Sequence, residues 1–178
     1  MTKNLKWICV TALGIALFAA LTLCLQVPVF ENYYLCLGYL VMAVWLCCFG
    51  TLSGTIAGCL GVVAYCLLTS GLRGMPGWTV GNLVIGVMLG LVFRAVKPIE
   101  KTWLKLAICS AAAVIATALG ILGAKSLTEC LLYSQPFMLR AAKNVYAFIA
   151  DAVVLLVGLP VCLTLKKDAR RRFPELVV

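Results

Sequence analysis

Two pairs of polar residues stand in otherwise apolar stretches and are the strongest candidates for chemistry. Trp78 and Asn82 are four residues apart in "MPGWTVGNLVIG", and Asn144 and Asp151 are seven apart in "RAAKNVYAFIADAVVLLVG". Both spacings place the two side chains on one face of an α-helix. An indole N–H, two amides and a carboxyl group can hydrogen-bond a small polar ligand, so the pattern predicts a binding site.

Asp151 is the acidic residue that we place deepest within an apolar stretch, about 10 Å further along the helix than Asn144. A carboxylate inside a membrane is costly and faces the interior of a helix bundle or a water-filled cavity. The alternative role is a carboxyl group that only holds helices together. Gly86 and Gly90 continue the stripe of Asn82, and such small residues let a second backbone or a ligand approach closely.

Aromatic and polar residues also gather in two loops that we place on the same side, "QVPVFENYY" and "TECLLYSQPFM". Tyr33, Tyr34, Tyr133 and Phe137 can join Trp78 in stacking on a planar ring. A flat heteroaromatic nutrient, such as a flavin or a purine-like vitamin, would suit that composition. The predicted substrate-binding residues are Glu31, Asn32, Tyr34, Trp78, Asn82, Asn144 and Asp151.

The sequence lacks the side chains that metal sites, haem sites and catalytic sites need. The chain has no histidine, and its ten cysteines lie mostly in apolar stretches without a CxxC spacing, which argues against zinc, haem and Cys–His catalysis. We therefore interpret them as small buried hydrophobes, with a disulfide between Cys36 and Cys130 left open. An intramembrane protease would need histidine or a second membrane carboxylate beside Asp151. No GxxxxGK[ST] motif is present, so the sequence predicts neither an enzyme nor a resident cofactor, and ATP use would fall to partners.

These candidates must be positioned by membrane helices. Hydrophobic residues make up 64% of the 178 positions and charged residues 12%, and the mean hydropathy is +1.10. The apolar stretches are continuous rather than alternating, which predicts an all-α polytopic membrane protein with one transmembrane substrate-binding domain, residues 1–178. The six predicted spans are roughly 7–26, 34–49, 51–70, 77–94, 103–124 and 142–165.

Two of these spans admit other interpretations. "FGTLSGTIAG" joins the second and third with almost no polar spacer, so they form either a tight helical hairpin or a partly re-entrant pair. The first span resembles a signal peptide in having Lys3 and Lys6 before an apolar core. Its apolar length and the large Leu23 near its end argue against cleavage, so we expect it to remain in the protein.

The distribution of Lys and Arg predicts the orientation. With six spans, one side holds eleven cations and the other four. The eleven are Lys3, Lys6, Arg94, Lys97, Lys101, Lys105, Lys166, Lys167, Arg170, Arg171 and Arg172. The four are Arg73, Lys125, Arg140 and Lys143. The positive-inside rule then places both termini in the cytoplasm. We expect the membrane to be the plasma membrane. The net charge of +9 is explained by topology and contact with anionic membrane lipid, not by nucleic-acid binding.

One further pattern lies in the first span, where Ala12, Ala16 and Ala20 form a ridge of small residues at four-residue spacing. Together with "LCLGYLVMAVWLCCFGTLSGTIAGCLGVVAYCLL" and "GWTVGNLVIGVMLGLV", this ridge makes the chain similar to the S components of energy-coupling factor (ECF) transporters. The resemblance covers nearly the whole length. It is strongest to the riboflavin-type branch of that family.

The resemblance implies a mechanism. An S component binds a vitamin from outside, with the outer loops and the last three helices around it. The AxxxA ridge then docks on a coupling subunit served by two cytoplasmic ATPases, and the S component topples to release its cargo inward. The alternative is a small self-contained carrier or channel. It would more typically show polar residues along the whole path or an internal repeat, and we find neither.

Overall fold

The computed structural model describes residues 3–24, 27–30 and 33–172, together with 174 and 177. In these described residues, seven α-helices form the bundle, with a π-helical segment between α5 and α6 and a two-stranded hairpin after α1. The helices are α1 Lys3–Cys24, α2 Gly38–Phe49, α3 Thr51–Leu68, α4 Met75–Ala95, α5 Thr102–Thr117, α6 Ser126–Tyr133 and α7 Phe137–Arg172. The π-helical segment is Ala118–Lys125, and the strands are β1 Val27–Phe30 and β2 Tyr33–Leu35.

Among the residues that the structure describes, five helical stretches are long and apolar enough to cross a membrane, which confirms the predicted helical membrane bundle. They are Asn4–Cys24, Thr51–Leu68, Met75–Ala95, Thr102–Tyr133 and Phe137–Arg172. The fourth combines α5, the π-helical segment and α6 into one continuous 32-residue stretch. It therefore runs well beyond the predicted span 103–124, just as α7 extends beyond 142–165 at both ends.

The predicted span 34–49 needs the largest correction. Its first residues belong to β2, which pairs antiparallel with β1, Val27 opposite Leu35. The helix proper, α2, begins only at Gly38 and has 12 residues. At about 1.5 Å per residue it is roughly 18 Å long, against about 30 Å for the hydrocarbon core. The α2 helix alone is therefore shorter than a membrane crossing.

A tight hairpin joins α2 to α3. Gly50 lies between them with φ +94°, in the left-handed region that glycine adopts without strain. The two helices then pack so closely that a Cβ on Gly54 would lie 2.5 Å from the Leu46 backbone nitrogen. The structure thus has two helices joined by a tight turn, and whether this pair crosses the membrane or is partly re-entrant stays a prediction.

Helix α1 packs against this hairpin through one face. The Trp45 Nε1 group donates a hydrogen bond of 2.9 Å to the Val10 carbonyl, and the Thr11 and Ser53 hydroxyls lie 2.8 Å apart. Gly14 faces the Trp45 ring so closely that a Cβ there would overlap it. Polar contacts and close packing thus fix which face of α1 points inward.

Helix α4 lies at the centre of the bundle because glycines let its neighbours approach on two sides. A Cβ on Gly86 would lie 2.5 Å from Thr55 Oγ1 of α3, and one on Gly81 would lie 2.9 Å from the Gly120 carbonyl of the π-helical segment. The glycine stripe that the sequence shows below Asn82 therefore serves helix packing. Close approach on both sides holds Trp78 and Asn82 in fixed positions.

Candidate functional site

Trp78 and Asn82 are joined through a tyrosine that the sequence analysis did not single out. The Trp78 Nε1 group donates to the Tyr39 hydroxyl over 2.9 Å, and this hydroxyl donates to Asn82 Oδ1 over 2.6 Å. The Asn82 Nδ2 group then donates to the Gly58 carbonyl over 2.9 Å. Tyr39 and Asn82 are both fully buried. This hydrogen-bond chain links α2, α3 and α4.

Asp151 of α7 lies next to this hydrogen-bond chain. The residue is 4% exposed, and its carboxyl group lies near the Tyr39 hydroxyl. Lys125, at the end of the π-helical segment, acts on it electrostatically. A buried carboxylate requires such partners, and here they come from two other parts of the bundle. The predicted juxtaposition of Trp78 and Asp151 is thus present in the structure.

A cavity of about 530 Å³ lies beside these residues. Its volume falls in the range of roughly 300–1,000 Å³ that small-molecule sites occupy. The Tyr65 and Trp78 rings meet edge to face, with centroids 5.7 Å apart and planes at 77°, and form an aromatic wall. The cavity is lined by Thr22, Leu35, Cys36, Tyr65, Cys66, Thr69, Gly71, Gly74, Trp78, Lys125, Ala147 and Asp151. We call it the outer cavity, after the side of the membrane on which the sequence analysis places it.

The predicted site residues of the helices take three different positions relative to this cavity. Trp78 and Asp151 line it, whereas Asn82 lies beneath and holds Tyr39. Asn144 lies outside the lining and is 1% exposed. Its Nδ2 group donates to Ser126 Oγ over 2.9 Å and to Glu129 Oε2 over 3.3 Å. Asn144 therefore connects α7 to α6, although it shares a stripe with Asp151.

The loop residues contribute less than the sequence analysis expected. Glu31 and Asn32 lie outside the described residues, and of Tyr34 only the backbone, in β2, is described. Tyr133 donates a hydrogen bond to the Arg73 carbonyl, and the Arg73 guanidinium lies 5.0 Å from the centroid of its ring. Phe137 is 39% exposed, and neither it nor Tyr133 lines the outer cavity.

Several residues in or beside the outer cavity were not predicted, and the sequence offered few signals for them. Tyr39 stands in a long apolar segment near the start of a helix, where a tyrosine is also typical of a membrane interface. Lys125 follows an apolar stretch and was counted only as a loop charge. Cys66 was treated as an ordinary buried thiol, and Cys36 was noted only for a possible disulfide with Cys130. All ten cysteines are free, and Cys36 is buried with its sulfur 3.3 Å from Thr22 Oγ1.

The alanine ridge of α1 points away from the bundle. Ala12, Ala16 and Ala20 are exposed, whereas Thr11 and Phe18 on the opposite face are buried. The ridge therefore leaves a smooth surface of small side chains that the described part of this chain does not cover.

Comparison with known proteins places the chain in a family. A family model described as "ECF-type riboflavin transporter, S component" matches residues 2–167. No curated protein and no solved structure matches the chain.

Proposed function

Since the chain belongs to the S-component family of ECF-type riboflavin transporters, we propose that its outer cavity binds riboflavin or a similarly flat heteroaromatic vitamin. Members of this family are substrate-binding membrane subunits of importers and not enzymes. The observation that carries the proposal is that Trp78 and Asp151 line one cavity of suitable size, with the Trp78 indole held by the buried Tyr39 hydroxyl.

The lining offers the two kinds of contact that such a vitamin needs. The edge-to-face pair of Tyr65 and Trp78 gives an apolar wall for a planar ring system. The Asp151 carboxylate can accept hydrogen bonds from ring N–H or hydroxyl groups, and the Lys125 ammonium has three donors for ring carbonyls. A flavin carries a planar ring, an imide edge and a polyhydroxyl chain, so it would engage both kinds of contact.

The vitamin would enter from outside the cell. The rim of the outer cavity includes Thr69, Gly71 and Gly74 from the loop between α3 and α4. This loop lies on the side with four cations, which the positive-inside rule assigns to the exterior. Both termini would then lie in the cytoplasm, and the membrane would be the plasma membrane.

The family also implies partners from the ECF module, and the exposed alanine ridge supports a specific docking face. We place the transmembrane coupling subunit on Ala12, Ala16 and Ala20, with two cytoplasmic ATPases attached to that subunit. In lipid, helices associate mainly through close packing, for which a ridge of small residues is suited. Surrounding membrane lipid would cover the remaining apolar surface.

Riboflavin binding by an Asp151→Asn variant tests the site. Isothermal titration calorimetry in detergent should show a ten- to hundredfold loss of affinity, because a hydrogen bond to a charged group contributes about 1.5–3 kcal/mol. Asp168→Asn is the matched control, since it makes the same change at an exposed position of the same helix. Its affinity should equal that of the parent protein.

Two outcomes would contradict the proposal. A parent protein that does not bind riboflavin would exclude that ligand. If the Asp151→Asn variant has unchanged riboflavin affinity but a lower thermal unfolding midpoint, Asp151 holds helices together. In that case it does not contact the vitamin.

A further inference from the structure

A second cavity, of about 350 Å³, lies at the other end of α4. It borders Phe93 and Val96 at the carboxyl end of this helix, whereas the outer cavity borders Trp78 near the amino end. Fifteen residues of helix separate Trp78 from Phe93, which corresponds to about 22 Å. We call this the basic cavity, and it is distinct from the proposed vitamin site.

Four cations from three parts of the chain line the basic cavity. Lys97 comes from the connection after α4, Lys105 from α5, and Lys166 and Arg170 from α7. Within the part of the chain that the structure describes, no salt bridge joins any of the four to a carboxylate. The nearest acidic residues in sequence, Glu100 and Asp168, are exposed and do not line the cavity.

This concentration of positive charge is unfavourable without an anion. Partial desolvation, together with the nearby cations Lys166, Arg94 and Arg170, lowers the pKa of Lys97 below its ordinary value. Like charges at such positions repel one another, and an anion between them would remove the repulsion. The electrostatics therefore favour a negatively charged occupant.

The rest of the lining indicates what kind of anion fits. Phe93, Val96 and Leu163 give the cavity an apolar wall beside the cations. The cavity lies where the apolar stretch of α4 ends and basic residues follow, which is where a span of this length would meet lipid headgroups. Basic pockets between transmembrane helices at this level are typical binding sites for phospholipid headgroups.

We propose that the basic cavity binds the phosphate group of an anionic phospholipid, held between Lys97, Lys105, Lys166 and Arg170. The apolar wall contacts the glycerol and the first acyl carbons, which a free phosphate ion does not possess. The bound lipid thereby links the connection after α4 to α5 and α7.

A binding experiment with short-chain lipids tests this site. The purified chain, in neutral detergent, is titrated with dihexanoyl phosphatidylglycerol, with dihexanoyl phosphatidylcholine and with inorganic phosphate, and binding is followed by native mass spectrometry and thermal unfolding. The parent protein should prefer phosphatidylglycerol. A Lys97→Gln, Lys166→Gln double variant should bind it about thirtyfold more weakly, since each cation near an anionic lipid contributes about 1 kcal/mol.

The matched control is an Arg171→Gln, Arg172→Gln double variant. It removes the same amount of positive charge, from the end of α7 that also carries Lys166, but neither residue lines the basic cavity. Its phosphatidylglycerol affinity should stay within about twofold of the parent value. Riboflavin affinity should be unchanged in both double variants, which separates this result from the test of the outer cavity.

Three results would overturn the proposal. Equal binding of the two lipids by the parent protein would exclude recognition of the anionic headgroup. An equal loss in the control would attribute binding to diffuse surface charge. Inorganic phosphate that binds as tightly as phosphatidylglycerol would assign the cavity to a soluble phosphate compound.

Discussion

The Tyr39 hydroxyl determines how the polar side chains of the outer cavity are oriented. It accepts one hydrogen bond from Trp78 Nε1 and donates one to Asn82 Oδ1, so the Asn82 amide nitrogen must point towards the Gly58 carbonyl. Asn82 is fully buried and both its polar atoms have protein partners. In the proposed site, Asn82 would therefore be a positioning residue, and Trp78 and Asp151 would contact the ligand.

Replacing Tyr39 by phenylalanine should lower stability, because it leaves the buried Asn82 oxygen and the Trp78 N–H without their partner. An unsatisfied buried group costs about 1–3 kcal/mol, which should appear as a lower thermal unfolding midpoint in detergent. Tyr133→Phe is the control, since it removes an exposed hydroxyl that bonds only the Arg73 carbonyl. Equal midpoints in the two variants would contradict the assigned role of Tyr39.

At the scale of elements, the two opposite faces of α1 have different surroundings. Thr11, Gly14 and Phe18 pack against the α2–α3 hairpin, and the alanine ridge faces outward. The outer cavity takes only Thr22 from this helix, near its carboxyl end. A substitution on the ridge should therefore impair docking of the partner without changing the affinity for the ligand.

Ala16→Trp should abolish vitamin uptake but leave riboflavin affinity within a few-fold of the parent value. The ring would hold the coupling subunit away from a surface that binds by close packing. Binding is measured in detergent and uptake in vesicles that contain the partner subunits. Leu17→Trp is the control, because Leu17 is exposed on the same turn but about 100° away round the helix.

The two variants separate the possible roles of the ridge. Loss of both binding and uptake in Ala16→Trp would make the ridge an internal packing surface. Retention of both would place it against lipid. Equal loss of uptake in Leu17→Trp would attribute the effect to bulk on α1 rather than to the ridge.

For the whole molecule, the outer and basic cavities lie at opposite ends of α4. If α4 spans the membrane, the two cavities therefore open towards opposite sides of it. Eleven cations, including all four that line the basic cavity, fall on the side that the sequence analysis assigns to the cytoplasm. The vitamin would then enter at one surface while the anionic lipid binds at the other.

Cysteine labelling tests this orientation. In a background with the exposed Cys9 and Cys24 replaced by serine, Leu72→Cys should react with a membrane-impermeant maleimide added to intact cells, because it lies in the exposed loop between α3 and α4. Arg171→Cys, at the end of α7, should react only after permeabilisation. The opposite labelling pattern would reverse the topology and place the outer cavity on the cytoplasmic side.

The sequence by itself determined the properties that depend on composition and helical period. Continuous apolar stretches indicated a helical membrane bundle, and the stripe of Asn82, Gly86 and Gly90 indicated a closely packed helix face. The type and spacing of Trp78 and Asp151 selected two residues of the outer cavity, because a polar group at that depth requires an internal partner. The alignment of Ala12, Ala16 and Ala20 on one face of α1 likewise follows from four-residue spacing, whereas their exposure depends on how α1 packs against α2 and α3.

Only the tertiary structure decided which polar groups share a cavity, because that depends on where each helix ends and how it is rotated against its neighbours. Asn144 and Asp151 lie on one stripe, yet Asn144 contacts Ser126 and Glu129 of α6. Lys125 reaches the outer cavity from the end of the π-helical segment, and α2 is shortened by a β-hairpin before it. The period of a helix shows which residues share a face. The contacts of that face are made with residues that are far away in the sequence.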